Sequence, residues 1–132
     1  MPRHSLCLAA ALLLASLALG CGGTSDASGG VLTLTASADS ALADGTWVTL
    51  TANAKDRYGA AGTGSVDFDV TNGQFYGFGR QNGGSADLDK GTTTIKVGCF
   101  QTENPLCVGG QVVHAAWNGV DAYVAVKFTQ VL

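Results

Sequence analysis

Residues 46–75, TWVTLTANAKDRYGAAGTGSVDFDVTNGQF, alternate apolar and polar side chains through two runs separated by a polar turn. In the first run Val48, Leu50, Ala52 and Ala54 share one face, with Thr49, Thr51, Asn53 and Lys55 on the other. In the second, Val66, Phe68 and Val70 oppose Asp67, Asp69 and Thr71. A period of two sends successive side chains to opposite faces, so each run is a strand with one buried and one wet face. Antiparallel sheets accept that asymmetry. No segment carries a convincing helical stripe.

The same alternation continues on both sides of this stretch. Leu32 to Ala36 forms a first strand with Leu32, Leu34 and Ala36 inward, and residues 38–44 continue it loosely up to the Asp44-Gly45 turn signal. Asn72-Gly73 marks the next turn, and Phe75 to Gly79 reads as a short edge strand weakened by Gly77 and Gly79. Ser85 to Asp89 and Thr92 to Cys99 flank Lys90-Gly91, and residues 111–117 and 122–130 flank Asn118-Gly119. In the last pair Val113, Ala115, Val124, Val126 and Phe128 face inward, while Val112, His114, Ala116, Tyr123 and Lys127 face out. The 19 glycines and only 2 prolines suit tight turns between short strands. Seven or eight short strands at this spacing predict an all-β, immunoglobulin-like antiparallel sandwich over residues 31–132. A domain of that size buries roughly two-thirds of its unfolded surface, enough for one core.

The first 30 residues follow different rules. Arg3 precedes an apolar run of 14 residues, Leu6 to Leu19, too short to span a bilayer and suited to a signal peptide over residues 1–20. The run ends in Ala18-Leu19-Gly20-Cys21, which resembles the lipobox of bacterial lipoproteins, with Ala18 in place of the usual Leu. That resemblance implies lipidation of Cys21 and a membrane partner reached through the lipid. The same small residues suit ordinary signal peptidase, which would leave Cys21 as a free thiol. Residues 22–30, GGTSDASGG, cannot bury apolar surface and are expected to tether the domain over a reach of roughly 15–18 Å. Processing would remove Arg3, His4 and Cys7. Six basic side chains then stand against 10 acidic ones, a net of −4, and Cys21, Cys99 and Cys107 remain. With Cys21 lipidated, Cys99 and Cys107 are an even pair in an oxidising compartment, and a disulfide is expected. The acidic balance and the lack of any basic run argue against nucleic acid as a partner.

The segments LTLTASADSALADG, TWVTLTANAKDRYGAAG, SVDFDVTNGQF and VVHAAWNGVDAYVAVKF occur in this order. Together they resemble bacterial immunoglobulin-like domains of the invasin and intimin type. In that family a Thr/Ala-rich strand leads into a D-x-x-G-x-x turn, here within Asp56–Gly62. A V-x-F-x-V-x-N-G strand follows, here Val66–Gly73, and a hairpin closes on V-x-V-x-F, here Val124–Phe128. The resemblance covers nearly the whole domain. It implies an extracytoplasmic structural or adhesive module in the bacterial cell envelope, of a kind usually found in tandem arrays.

Chemistry-bearing residues are sparse. After processing His114 is the sole histidine and Glu103 the sole glutamate, and His114 falls mid-strand on the outward face. A catalytic triad needs its histidine in a cleft beside a nucleophile, so no enzyme and no cofactor are expected. Asp67, Asp69, Asp87 and Asp89 form two D-x-D pairs without the glycine bend of a calcium loop, and they read as a solvated face rather than a metal site. Exposed aromatics are the remaining means of contact, since they stack on sugars or insert into proteins. Tyr76, Phe78, Trp117 and Tyr58 are the candidates, with the Tyr76-Gly77-Phe78-Gly79 strip first because its glycines leave the rings accessible. Together with the 100–110 loop they would serve an unidentified protein or glycan ligand.

Overall fold

In a computed structural model the structure describes residues 30–132. The signal peptide, Cys21 and the tether up to residue 29 lie outside the described residues. Nine strands follow in order: β1 Val31–Ala36, β2 Ser40–Leu42, β3 Val48–Lys55, β4 Ser65–Val70, β5 Gln74–Phe75, β6 Gly83–Asp87, β7 Thr92–Gly98, β8 Gly109–Trp117 and β9 Val120–Thr129. They form two sheets, β1-β3-β7-β5 and β2-β9-β8-β4-β6, which face each other as a sandwich.

The expected registers hold. Val48, Leu50, Ala52 and Ala54 are buried, as are Val66, Phe68 and Val70 on β4 and Val126 and Phe128 on β9. Their alternating neighbours face water, because a strand has no third direction in which to point them. The two-residue turns Lys90-Gly91 and Asn118-Gly119 have positive φ at both positions (55° and 82°, 53° and 81°). That geometry matches the twist of the flanking strands.

Two details differ from expectation. The sandwich is not wholly antiparallel, since β2 pairs parallel with β9 through Ser40↔Lys127 and Leu42↔Thr129. The chain leaving β1 crosses to the other sheet without reversing, and β9 at that edge runs the same way. This switch raises the strand count to nine. Residues 75–79 also do not form a strand: β5 stops at Phe75, and the chain turns at Gly77 (φ 90°) and Gly79 (φ 67°).

The strand directions define two ends. Where the chain enters, Val31 pairs with Lys55, and Trp117 begins the β8–β9 turn through its pairing with Val120. At the far end gather residues 43–47, the β4–β5 and β5–β6 connections, the 99–108 loop and the C-terminal residues, with Val131 bonded to Gln101. The far end is stiffened covalently. Cys99, at the end of β7, is disulfide-bonded to Cys107 in the 3-10 turn Pro105–Cys107, with a Cα–Cα distance of 5.6 Å. Asn104 caps that turn by accepting from the Leu106 N–H at 3.1 Å. Buried Gln111 serves the same region: its Oε1 accepts from Asn72 N, and its Nε2 donates to the carbonyls of Leu106 and Cys107. Among the described residues no buried side-chain polar atom lacks a partner.

Candidate functional site

The largest departure concerns the aromatic residues. Trp117 lies inside: it is in phase with Val113 and Ala115 on β8 and is only 4% exposed. Its indole caps the core at the chain-entry end, where Cβ atoms on Gly30 or Gly62 would stand 2.8 and 2.7 Å from the ring. Its Nε1 donates to the Thr63 carbonyl at 2.8 Å. A ring so enclosed offers no stacking face, so Trp117 does not fit the contact role expected of it. Phe78 also turns inward, packing against the core beside Gly84 and Ile95. Tyr58 is 81% exposed on the β3–β4 loop at the chain-entry end, with the Arg57 guanidinium 5.2 Å from its ring centre. Tyr76, 61% exposed, lies at the far end. The four rings therefore do not form one surface.

Tyr76 has other neighbours. Trp47 meets it edge-on, with centroids 5.4 Å apart and planes at 85°, and Phe100 meets Trp47 at 5.6 Å and 68°. The register explains this grouping. Val48 pairs with Val97, so Trp47 stands opposite Gly98, and its benzo ring covers the place a Cβ there would take, 2.8 Å away. Phe100 likewise covers Gly45. Tyr76 donates its N–H to Lys96 O across the β5–β7 edge, and Lys96 Nζ lies 5.6 Å from the tyrosine ring centre.

A polar group adjoins the rings. Gln74 Nε2 donates to Glu103 Oε1 at 3.1 Å, and Arg80 Nε approaches the same oxygen at 3.6 Å. These side chains, with Phe100 and Asn104, line a cavity of about 140 Å³. Asp44 borders a second hollow of about 220 Å³ that Phe100 also lines. Its carboxylate accepts from the Thr46 hydroxyl at 2.6 Å and the Thr46 N–H at 3.1 Å, and the hydroxyl bond holds its pKa below the ordinary carboxylate value.

His114 belongs to a different surface, the outer face of the five-stranded sheet. Its Nδ1 lies 2.8 Å from Asp69 Oδ2 on β4 and its Nε2 2.7 Å from Asp121 Oδ1 on β9. Tyr123 stacks on the ring at 4.9 Å. Two carboxylates can both be satisfied only by an imidazolium, which donates from both nitrogens. The Asp69 bond first, and then the Asp121 bond, raise the His114 pKa above its ordinary value against a smaller opposing effect of burial. The arrangement clasps three strands. Asp67 and Asp87 are diagonal neighbours on the outer face of the β4–β6 pair, Asp69 is engaged by His114, and Asp89 lies in the β6–β7 turn. Among the described residues no group of three or more His, Cys, Asp or Glu side chains is placed to hold a metal.

Solved structures share this architecture. The D00-D0 domain structure of intimin matches at a TM-score of 0.55 and 26% identity, over 76% of this chain and 47% of that one. The fold is that of the bacterial immunoglobulin-like domains of intimin. Domains 4 and 5 of the S-layer protein SbsC match at 0.51 and 17% identity, over 76% of this chain and 46% of theirs. A glycosyl hydrolase family 2 member from Bacteroides cellulosilyticus matches at 0.56 and 17% identity, but over only 14% of its own chain. These last two likenesses concern fold alone. No protein-family model matches the chain, and no curated protein matches it by sequence. The chain spans about half of the intimin structure it resembles.

Within this immunoglobulin-like sandwich, the far-end grouping adds Lys96 and Gln74, which the sequence did not single out, and joins to Tyr76 the out-of-phase Trp47 and the first residue of the 100–110 loop, Phe100. One signal was available. Gly45 and Gly98 each lie two residues from an aromatic residue, Trp47 and Phe100. The close approach of those rings to the glycines depends on the β3–β7 pairing, which joins residues nearly fifty positions apart.

Proposed function

We propose that the chain is a lipid-anchored, extracytoplasmic immunoglobulin-like module with a structural or adhesive role and no catalysis. The observation that carries this reading is the fold, shared with intimin D00-D0 at 26% identity. Three features are consistent with it. The chain enters at one end of the sandwich and leaves at the other, as a spacer requires. The Cys99–Cys107 disulfide suits an oxidising compartment. The residues before Cys21 resemble a signal peptide ending in a lipobox.

Anchoring is tested by Cys21→Ser in the producing cell. The variant should leave the membrane fraction and the detergent phase for the soluble extracytoplasmic fraction. A variant that partitions into detergent as the wild type does would refute lipidation at Cys21. A binding role is a second reading, and the rings and polar side chains at the far end favour it.

A further inference from the structure

We propose that the far end of the sandwich is a saccharide-binding site, with Trp47, Tyr76 and Phe100 as its rings and Gln74, Arg80 and Glu103 as its polar side. This rests on the adhesive reading above and gives it a ligand class; it does not depend on lipidation.

A pyranose presents an apolar C–H face together with a rim of hydroxyls that donate and accept at once. A site for it needs rings beside closely spaced donors and acceptors. The far end has both. Tyr76 is 61% exposed and touches Trp47, which touches Phe100. Phe100 also lines the cavity that holds Gln74, Arg80 and Glu103, so the aromatic and polar parts are continuous. Glu103 supplies the acceptor, while the guanidinium of Arg80 and the amide of Gln74 supply donors.

Size and composition choose between a sugar and a protein partner. The cavity of about 140 Å³ is well below the roughly 300–1,000 Å³ of pockets that enclose drug-sized ligands. It suits one hydroxylated ring, with the next unit of an oligosaccharide lying over Tyr76. A stable protein interface needs more than about 1,000 Å² and a core depleted in charge. Here Lys96 lies over the Tyr76 ring, and the Arg80–Glu103 pair shares a cavity wall with Phe100.

The site is also held in place. The disulfide, the Asn104 cap and the buried amide of Gln111 fix the 99–108 loop and the β4–β5 turn. Such preorganisation lowers the ordering cost of a weak, exposed ligand. The site lies opposite the end where residue 30 enters, so a tether on that side leaves it unobstructed.

The full chain, purified from the producing cell, serves for the test. It would be titrated with neutral oligosaccharides of glucose, mannose and N-acetylglucosamine, following tryptophan emission. Trp117 is buried at the opposite end, so a change reports on Trp47. At least one series should give a saturable change. Tyr76→Ala and Glu103→Gln should each weaken binding by about tenfold, the equivalent of one lost ring contact or charge-assisted bond. Both positions are exposed, and unchanged melting temperatures would separate lost contacts from lost fold. Tyr58→Ala, at the other end, should bind as wild type does. The proposal is overturned if no series gives a saturable change at millimolar concentration, or if binding survives both Tyr76→Ala and Glu103→Gln. Capture of a protein partner by this end without any saccharide response would overturn it too. None of these results bears on the location of the protein, which Cys21→Ser tests separately.

Discussion

Trp117 and Gly62 form the contact that most sharply tests the structure at the chain-entry end. Replacing the buried indole with alanine should cost about 3–5 kcal/mol, as other buried aromatic truncations do. Phenylalanine keeps much of the apolar volume but removes the donor to the Thr63 carbonyl. Thr63 is exposed, so water can replace that bond, and its loss lies near the lower end of the roughly 1–3 kcal/mol range. Adding the two lost ring carbons, at about 0.8 kcal/mol per methylene-sized group, gives about 2.5 kcal/mol for Trp117→Phe. Gly62→Ala brings opposing effects. Restricting the unfolded chain would stabilise by about 0.4–1 kcal/mol. The new Cβ would stand 2.7 Å from the indole and 2.8 Å from the Ala54 Cβ, and such overpacking costs roughly 1–3 kcal/mol. Net destabilisation of about 1 kcal/mol is expected. It should shrink in the Trp117→Phe background, where the benzo ring that causes part of the clash is gone. Urea unfolding of the four proteins, with slopes compared for constancy, yields the coupling directly. If Trp117→Ala stays within about 0.5 kcal/mol of wild type, as surface substitutions do, the indole is not buried and this account of the entry end is wrong.

Two further outcomes follow from other contacts. His114 has its folded pKa raised above the ordinary 6.5, so its contribution is fully present below about pH 6.5 and is lost as pH rises through the folded value. Its carboxylate partners are exposed, and each pair is worth about 0.2–1 kcal/mol, so stability should fall by about 0.5–2 kcal/mol across that window. His114→Gln should flatten this part of a pH series of denaturant midpoints, and an unchanged slope would refute the clasp. Replacing both Cys99 and Cys107 with alanine should cost about 2.5 kcal/mol, the value for opening a nine-residue loop, and lower the melting temperature by roughly 10–20 °C. Two thiols titrating in oxidised, unreduced protein would show instead that the bridge does not form.

Much of the fold was legible because strand periodicity is local. Leu50, Phe68, Val126 and Phe128 were assigned to the interior by alternation alone, and all four are buried. Lys90-Gly91 and Asn118-Gly119 marked hairpins because few residues accept positive φ. Even the burial of Trp117 was implicit in its phase with Val113 and Ala115, although its position beside a turn suggested the surface. The spacing of Cys99 and Cys107, with the parity of cysteines, likewise anticipated the disulfide.

Alternation cannot say which strands become neighbours, because that depends on contacts between distant residues. The parallel seat of β2 against β9 follows from the chain changing sheets after Ala36, a choice made by the whole sandwich. His114 could be placed on the outward face from its own strand. Its two carboxylates come from strands 45 positions before it and seven after it, and only the sheet order brings them to one imidazole. The far end depends on the same kind of information. Trp47 reaches Tyr76 and Phe100 because β3 pairs with β7, β7 pairs with β5, and Gly98 leaves room for an indole. The sequence by itself determined which side of each strand is wet; tertiary pairing decided which wet residues meet, because side-chain alternation is a property of one strand and a surface is made by several.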